Sequence, residues 1–306
     1  MSLNLIFGAS GYGKTHELYS VIADEAPRDL KKNFIIVVPE QDSMRVTREI
    51  TERMPGKGII NVDVLSFGRF AHRIFDSAGS VNLGVLDDTG KSLIIRRIIR
   101  ELDSQLSVFK SHALKTGYTN EIKSIISEFI QYDITPYDVD RMIAYASPKG
   151  YLCAKLKDIR LIYSVFRERL RDRYITRDEL LDAAIKRSDK AGFLSGASIF
   201  FDGFTGFTPI QNQIIRMLMK RAADIYVTYD YDGRDGELFE LPIRSAAELR
   251  RLADECGVKT VTQGLYDTEE RRLSASPALD HLEKNLFRKK SGVYEGSTDG
   301  IELIEA

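Results

Sequence analysis

The sequence is poor in the residues that staple, chelate or anchor a protein. Its 306 residues include two cysteines, Cys153 and Cys256, far apart in the chain. That argues against a disulfide framework or a thiolate zinc site and fits a reducing cytoplasm. Four histidines (His16, His72, His112 and His281) stand apart, without metal-ligand spacing. Charge of one sign is also missing: Lys and Arg total 44, Asp and Glu 45, for a net charge of −1. No whole-surface field draws the chain to nucleic acid or membrane, so such binding must use local patches. No apolar run exceeds strand length, and the first residues lack a basic-then-apolar signal pattern. What is present is 43% hydrophobic residues in a chain long enough for about two domains at ~150 residues each.

Three short apolar runs, "LNLIF" (3–7), "NFIIVVPE" (33–40) and "GIINVDVLSF" (58–67), alternate with helical patterns. Continuous runs of this kind are expected of parallel strands buried on both faces, and the alternation predicts a doubly wound sheet. From Asp87 to about Gly192 nearly everything has helical period. In "DDTGKSLIIRRIIRELD", Leu93, Ile94, Ile98 and Leu102 share one face, and Thr176 is a plausible N-cap for "TRDELLDAAIKRS". The sheet pattern resumes at "ASIFFDGF" (197–204) and "DIYVTYD" (224–230), so the helical block looks inserted between strands of one sheet. From Gly233 two or three helices are expected, then "GIELIEA", read as a strand without a successor and hence as a sign of a longer parent chain.

The chemistry sits in "GASGYGKT", Gly8, Ala9, Ser10, Gly11, Tyr12, Gly13, Lys14 and Thr15, which matches G-x4-G-K-[ST]. Glycines let successive backbone N–H groups turn inward around phosphate oxygens. The following helix offers its positive end, Lys14 reaches the outer phosphates, and Thr15 offers a hydroxyl to Mg2+. A strand before and a helix after favour phosphate binding over an accidental glycine turn. Such a loop needs an acidic partner at the end of another strand. Asp202, closing "SIFFD", is the Mg2+ candidate; its alternative is a turn cap before Gly203. A hydrolysing helicase-type ATPase carries a glutamate next. Here the chain reads Gly203 and then "FTGFTP", without the general base commonly worth ~10²–10⁴-fold in rate. "EIK" (121–123) sits in a helix and reads as a solvated face. The basic runs Arg96/Arg97/Arg100 and Arg167/Arg169/Arg171/Arg173 are interleaved with acids, and read as salt-bridged surface rather than a nucleic-acid track.

Several segments occur in one order in a single family. "VVPEQ" (37–41), "VLSFGRFAHRIF" (64–75), "LDDTGKSLIIRRII" (86–99), "ISEFIQYDITPYDV" (126–139), "FDGFTGFTPIQNQII" (201–215) and "RRLSASPALDHLEKNLF", with the phosphate loop, resemble the N-terminal part of the AddB (RexB) subunits of bacterial ATP-dependent helicase/deoxyribonucleases. The likeness covers essentially the whole chain. It implies an α/β fold: a P-loop, RecA-like parallel sheet with a large all-helical insertion, plus the start of a second RecA-like domain. Residues 1–84 and 191–232 would be the first core, 85–190 the insertion, and 233–306 the beginning of the second core. The resemblance further implies ATP and Mg2+ as cofactors, DNA and an AddA-type motor/nuclease subunit as partners, cytoplasmic double-strand-break repair by recombination, and no membrane. Arg272 (or Arg271), in "EERRLSAS", becomes the candidate γ-phosphate arginine. The family's nuclease domain and its cysteine-ligated iron–sulfur cluster would lie beyond these residues, so neither cysteine is assigned to a cluster.

Two departures separate the chain from active helicases of that layout: the glutamate after Asp202 is absent, and no adenine-reading glutamine segment precedes the loop. The family's helicase region is degenerate and serves DNA handling and hotspot recognition, while AddA is the motor. The expectation is therefore a nucleotide- and DNA-binding module with little motor activity. Its rivals are a stand-alone P-loop NTPase or kinase, and an assembly module with a vestigial site.

Overall fold

In the computed structural model the described residues are all except 55–57, 80–83, 111–115, 172–173, 177–178, 267–275, 290, 299–300, 303 and 305–306. The chain opens with β1 (Ser2–Gly8), α1 (Lys14–Glu25), β2 (Phe34–Val37), α2 (Ser43–Arg53), β3 (Val62–Leu65) and α3 (Phe67–Ala78). There follow β4 (Gly84–Leu86), α4 (Asp88–Glu101), α5 (Thr116–Gln131), α6 (Pro136–Tyr145), α7 (Gly150–Leu170), β5 (Tyr174–Thr176) and α8 (Leu180–Arg187). The last stretch holds β6 (Ser198–Phe201), α9 (Pro209–Leu218), β7 (Asp224–Asp230), α10 (Glu240–Glu255), β8 (Lys259–Leu265) and α11 (Pro277–Asn285). Two compact units result: Met1–Phe70 with Gly192–Phe207 and Ile215–Ala306, and Ala71–Ala191 with Thr208–Ile214.

The first unit is built on a six-stranded sheet in the order β3-β2-β6-β7-β1-β8, every pair parallel. All residues of β2 and β6 are buried, which explains their unbroken apolar runs. One packed cluster gathers Leu18, Tyr19 and Ile22 of α1, Val46 and Ile50 of α2, and Phe34, Ile36 and Phe200 of the sheet. Each such aliphatic or Phe side chain contributes roughly 1.5–3 kcal/mol through burial. Phe67 and Phe201 stack at 5.8 Å, with Phe204 and Phe207 edge-on to Phe67.

The α/β architecture with a parallel sheet agrees with the expected RecA-like layout. The sequence reading has only helices across 240–265, whereas β8 adds a strand beside β1 and α10 precedes it. A polar edge strand, "KTVTQGL", carries no apolar run to announce it. Of the final expected strand, the described residues Ile301, Glu302 and Ile304 carry no strand.

The second unit is mainly helical. Ile95, Ile98 and Ile99 of α4, Ile122 and Ile126 of α5, Val139 of α6 and Ile159, Ile162 and Phe166 of α7 make its core. Helix starts follow local chemistry. Asp87 accepts the Gly90 N–H at 2.7 Å, and Thr135 and Asp138 form a reciprocal capping box ahead of Pro136. Thr176 and Glu179 exchange the same pair of bonds before α8. A short parallel pairing, β4 with β5, interrupts the expected all-helical block. The basic runs carry ion pairs: Arg97 and Arg169 both reach Glu101, and Lys155 pairs with Glu121 of "EIK" at 2.5 Å. Among the described residues, no helix is long and apolar enough to cross a membrane.

Candidate functional site

Strand β1 delivers Gly8 to the C-terminal edge of the sheet, between the ends of β7 and β8. The loop turns at once: the Tyr12 N–H donates to the Ala9 carbonyl at 3.2 Å, and Gly13 takes φ 86° as the N-cap of α1. That left-handed torsion suits glycine and starts the helix with its positive end at the loop. Lys14 folds back over the turn. Its Nζ donates to the carbonyls of Gly8 and Ala9, each at 2.8 Å, and pairs with Asp230 Oδ1 at 2.8 Å. Asp230 ends β7 directly opposite Gly8 in register, and its side chain is 52% exposed against 11% for Lys14.

Asp202 follows β6 and is 6% exposed. Its N–H donates to the Val37 carbonyl at 3.2 Å, fixing the turn to the end of β2. Three hydroxyls from other elements converge on its carboxylate. Thr15 donates to Oδ1 at 3.3 Å, Thr228 to Oδ1 at 2.6 Å, and Tyr19 to Oδ2 at 2.9 Å. Burial, and then the Asp202 charge, pushes the Tyr19 phenol far up, so it stays a donor. Thus the two features the sequence separates by 187 residues meet through Thr15. A carboxylate and a threonine hydroxyl are hard oxygen ligands of the kind Mg2+ takes alongside waters and substrate phosphates, so these residues fit that ion. The hydroxyls can rotate away from Asp202 and free its lone pairs.

Gly203 gives the missing glutamate a physical setting. Its φ is +79°, and a Cβ there would lie 3.4 Å from Pro39 Cδ and 3.9 Å from Asp42 Oδ2. An L-residue in that conformation is strained by roughly 1–2 kcal/mol. The carboxylates near the site come from elsewhere: Asp42, which pairs with Arg45 at 3.2 Å, and Asp230. Sequence reasoning missed Asp230, Tyr19 and Thr228. Asp230 closes "DIYVTYD" as Asp202 closes "SIFFD", and that shared signal points to it. The candidate arginines Arg271 and Arg272 lie outside the described residues.

Residues 5–283 match the family model described as ADDB, N-terminal. Similar proteins include the B subunit of the ATP-dependent helicase/deoxyribonuclease of Lachnoclostridium phytofermentans, 36% identical over 317 aligned residues that take in all of this chain and 28% of the relative. The proteins of the same name from Acetivibrio thermocellus and Clostridium novyi are 32% and 31% identical, again across the whole chain and 27% of each relative. The chain therefore spans little more than a quarter of the length of these relatives. By its match through most of its length, the chain belongs to the AddB N-terminal family.

Proposed function

We propose that this chain is the nucleotide-binding, helicase-like portion of a larger protein that works on DNA ends in double-strand-break repair, in the cytoplasm and beside an AddA-type motor/nuclease subunit. The arrangement around Asp202 carries the reading. A phosphate loop whose threonine meets a buried strand-end carboxylate supports ATP·Mg2+ binding, with Gly8–Thr15 around the phosphates and Thr15 and Asp202 toward the metal. Mg2+ would neutralise phosphate charge there; the chain's own part is to hold Lys14 and Thr15 in place. Gly203 with positive φ argues for binding without rapid turnover, because no carboxylate follows Asp202 to orient a water. DNA contact is proposed for the exposed start of α3, where Gly68 and Arg69 face solvent within "VLSFGRFAHRIF" (64–75), one of the segments that carry the AddB resemblance. Residues 1–84 and 191–265 are proposed as the first core around the insertion 85–190; β8 pairs with β1, so the second core expected from 233 is proposed to begin after β8 instead.

The test is a titration of labelled ATP with Mg2+ against the wild-type chain and Lys14→Ala, together with steady-state hydrolysis with and without single-stranded DNA. Binding lost in Lys14→Ala, with hydrolysis far below one turnover per second, is expected. Equally poor binding by both proteins would make the site vestigial. Turnover of several per second, stimulated by DNA, would make the module a motor.

A further inference from the structure

A cavity of about 710 Å³ opens beside the phosphate loop. Its wall includes Tyr12 of the loop itself, Asp232 and Arg234 just after β7, Tyr266 directly after β8, Lys284 of α11, and Arg288. The volume falls within the roughly 300–1,000 Å³ of small-molecule sites.

The wall is held from behind. Asp232 accepts the Arg234 and Asp235 N–H groups at 2.9 and 3.1 Å, and Arg288 at 2.7 Å; Arg288 also reaches Asp235 at 3.2 Å. Burial opposes the Asp232 charge, yet these donors hold its carboxyl below the usual range. The Arg288 guanidinium lies over the Phe239 ring at 5.6 Å. On the opposite side, Tyr266 rests on bare backbone: a Cβ on Gly264 would fall 2.2 Å from its ring, and one on Gly233 would fall 3.2 Å away. Tyr231 meets Tyr266 edge-on at 6.1 Å, and Phe7 and Phe239 meet Tyr231 in turn. Two glycines and an aromatic chain thus hold one partly buried ring in the cavity wall.

A phosphate loop grips only the phosphates of a nucleotide; the base and sugar must lie beyond it. This cavity includes Tyr12 of the loop in its wall and offers, in Tyr266, an aromatic ring of the sort on which bases stack. We infer that it receives the base and ribose of a nucleoside triphosphate whose phosphates lie in Gly8–Thr15, with Tyr266 as the stacking face. The assignment rests on the phosphate-loop reading. Stacking reads no hydrogen-bond edge, so the site accepts any base and holds the larger purines more tightly than pyrimidines.

The test titrates ATP, CTP and inorganic tripolyphosphate, with Mg2+, into the full chain as wild type, Tyr266→Leu, Tyr266→Phe and Lys14→Ala. Leucine keeps bulk without a π face, and phenylalanine keeps the ring. Wild type is expected to bind ATP more tightly than CTP and CTP more tightly than tripolyphosphate. Tyr266→Leu should lose roughly 10-fold or more for ATP while tripolyphosphate binding, which also reports an intact fold, is unchanged. Tyr266→Phe should match wild type. If Tyr266→Leu binds ATP like wild type while Lys14→Ala does not bind, the base lies elsewhere and only the phosphate reading stands. Equal losses for ATP and tripolyphosphate would make Tyr266 a support for the loop, against the proposal. Failure of wild type to bind any of the three ligands would overturn both readings.

Discussion

Among the described residues each unit buries one aspartate, and the two are held in opposite ways. Asp158, in α7 of the helical unit, is 3% exposed and accepts the backbone N–H groups of Ser107, Val108 and Phe109 at 2.7–3.0 Å. Asp202, in the sheet unit, is 6% exposed and accepts three side-chain hydroxyls. Backbone donors cannot turn away: without Asp158 they lose their acceptor, and the Phe109 N–H is left buried and unpaired. Hydroxyl donors can rotate or take another acceptor. The first carboxylate is therefore committed to the fold, while the second can be released to a ligand. Burial alone does not separate the two roles; the mobility of the donors does.

The largest effect should come from making the same change at both places. Asp158→Ala should cost about 3 kcal/mol, since hydrogen bonds to a charged group contribute ~1.5–3 kcal/mol each and the buried Phe109 N–H is left unpaired. A lower midpoint in urea should register this, with ATP affinity of the folded fraction unchanged. Asp202→Ala should cost less, about 1–2 kcal/mol, because removing a buried charge offsets part of the loss of an acceptor for the buried Tyr19 and Thr228 hydroxyls. It should instead abolish the strengthening of ATP binding by Mg2+. Equal stability losses at the two sites would erase the distinction.

Gly203→Glu sharpens the same contrast by asking what the Asp202 turn can accept. With φ at +79°, the new side chain should cost about 1–2 kcal/mol. The displaced backbone should leave ATP hydrolysis no faster than in wild type. A glutamate that raised turnover tenfold would show that the turn tolerates a water-orienting carboxylate.

How much of this was legible depended on how local the signal is. Gly8–Thr15 is a contiguous motif, and Asp202 ends an apolar run, so both stand out along the chain. Thr15 meeting Asp202 needs only the rule that such loops face a strand-end acid. Asp158 is different: "KLKDIRL" reads as an ordinary charged helix, and nothing nearby announces that residues 107–109 will fold onto it. β8 is missed because an edge strand can be polar, and the sheet then adopts it through backbone pairing that side chains do not encode. Tyr266 owes its place to Gly264 two residues before and Gly233 in another loop, a match visible only in space.

Asp230 provides the smallest and finest test of the comparison, as a third carboxylate whose partner is a mobile cation. It pairs with Lys14 at 2.8 Å but is half-exposed, so the pair contributes about 0–1 kcal/mol and is screened by salt. A phosphate entering the loop must take Lys14 from it and then sit near its negative charge. Asp230→Asn removes that competitor and keeps the shape, so ATP affinity should rise by about 2- to 5-fold at low salt, with the gain shrinking as salt rises. Stability should hardly move, since Lys14 keeps the Gly8 and Ala9 carbonyls. If ATP binding weakened instead, Asp230 would be presenting Lys14 to the phosphate rather than competing for it. It would then belong with Asp158 as a carboxylate that builds the structure around it.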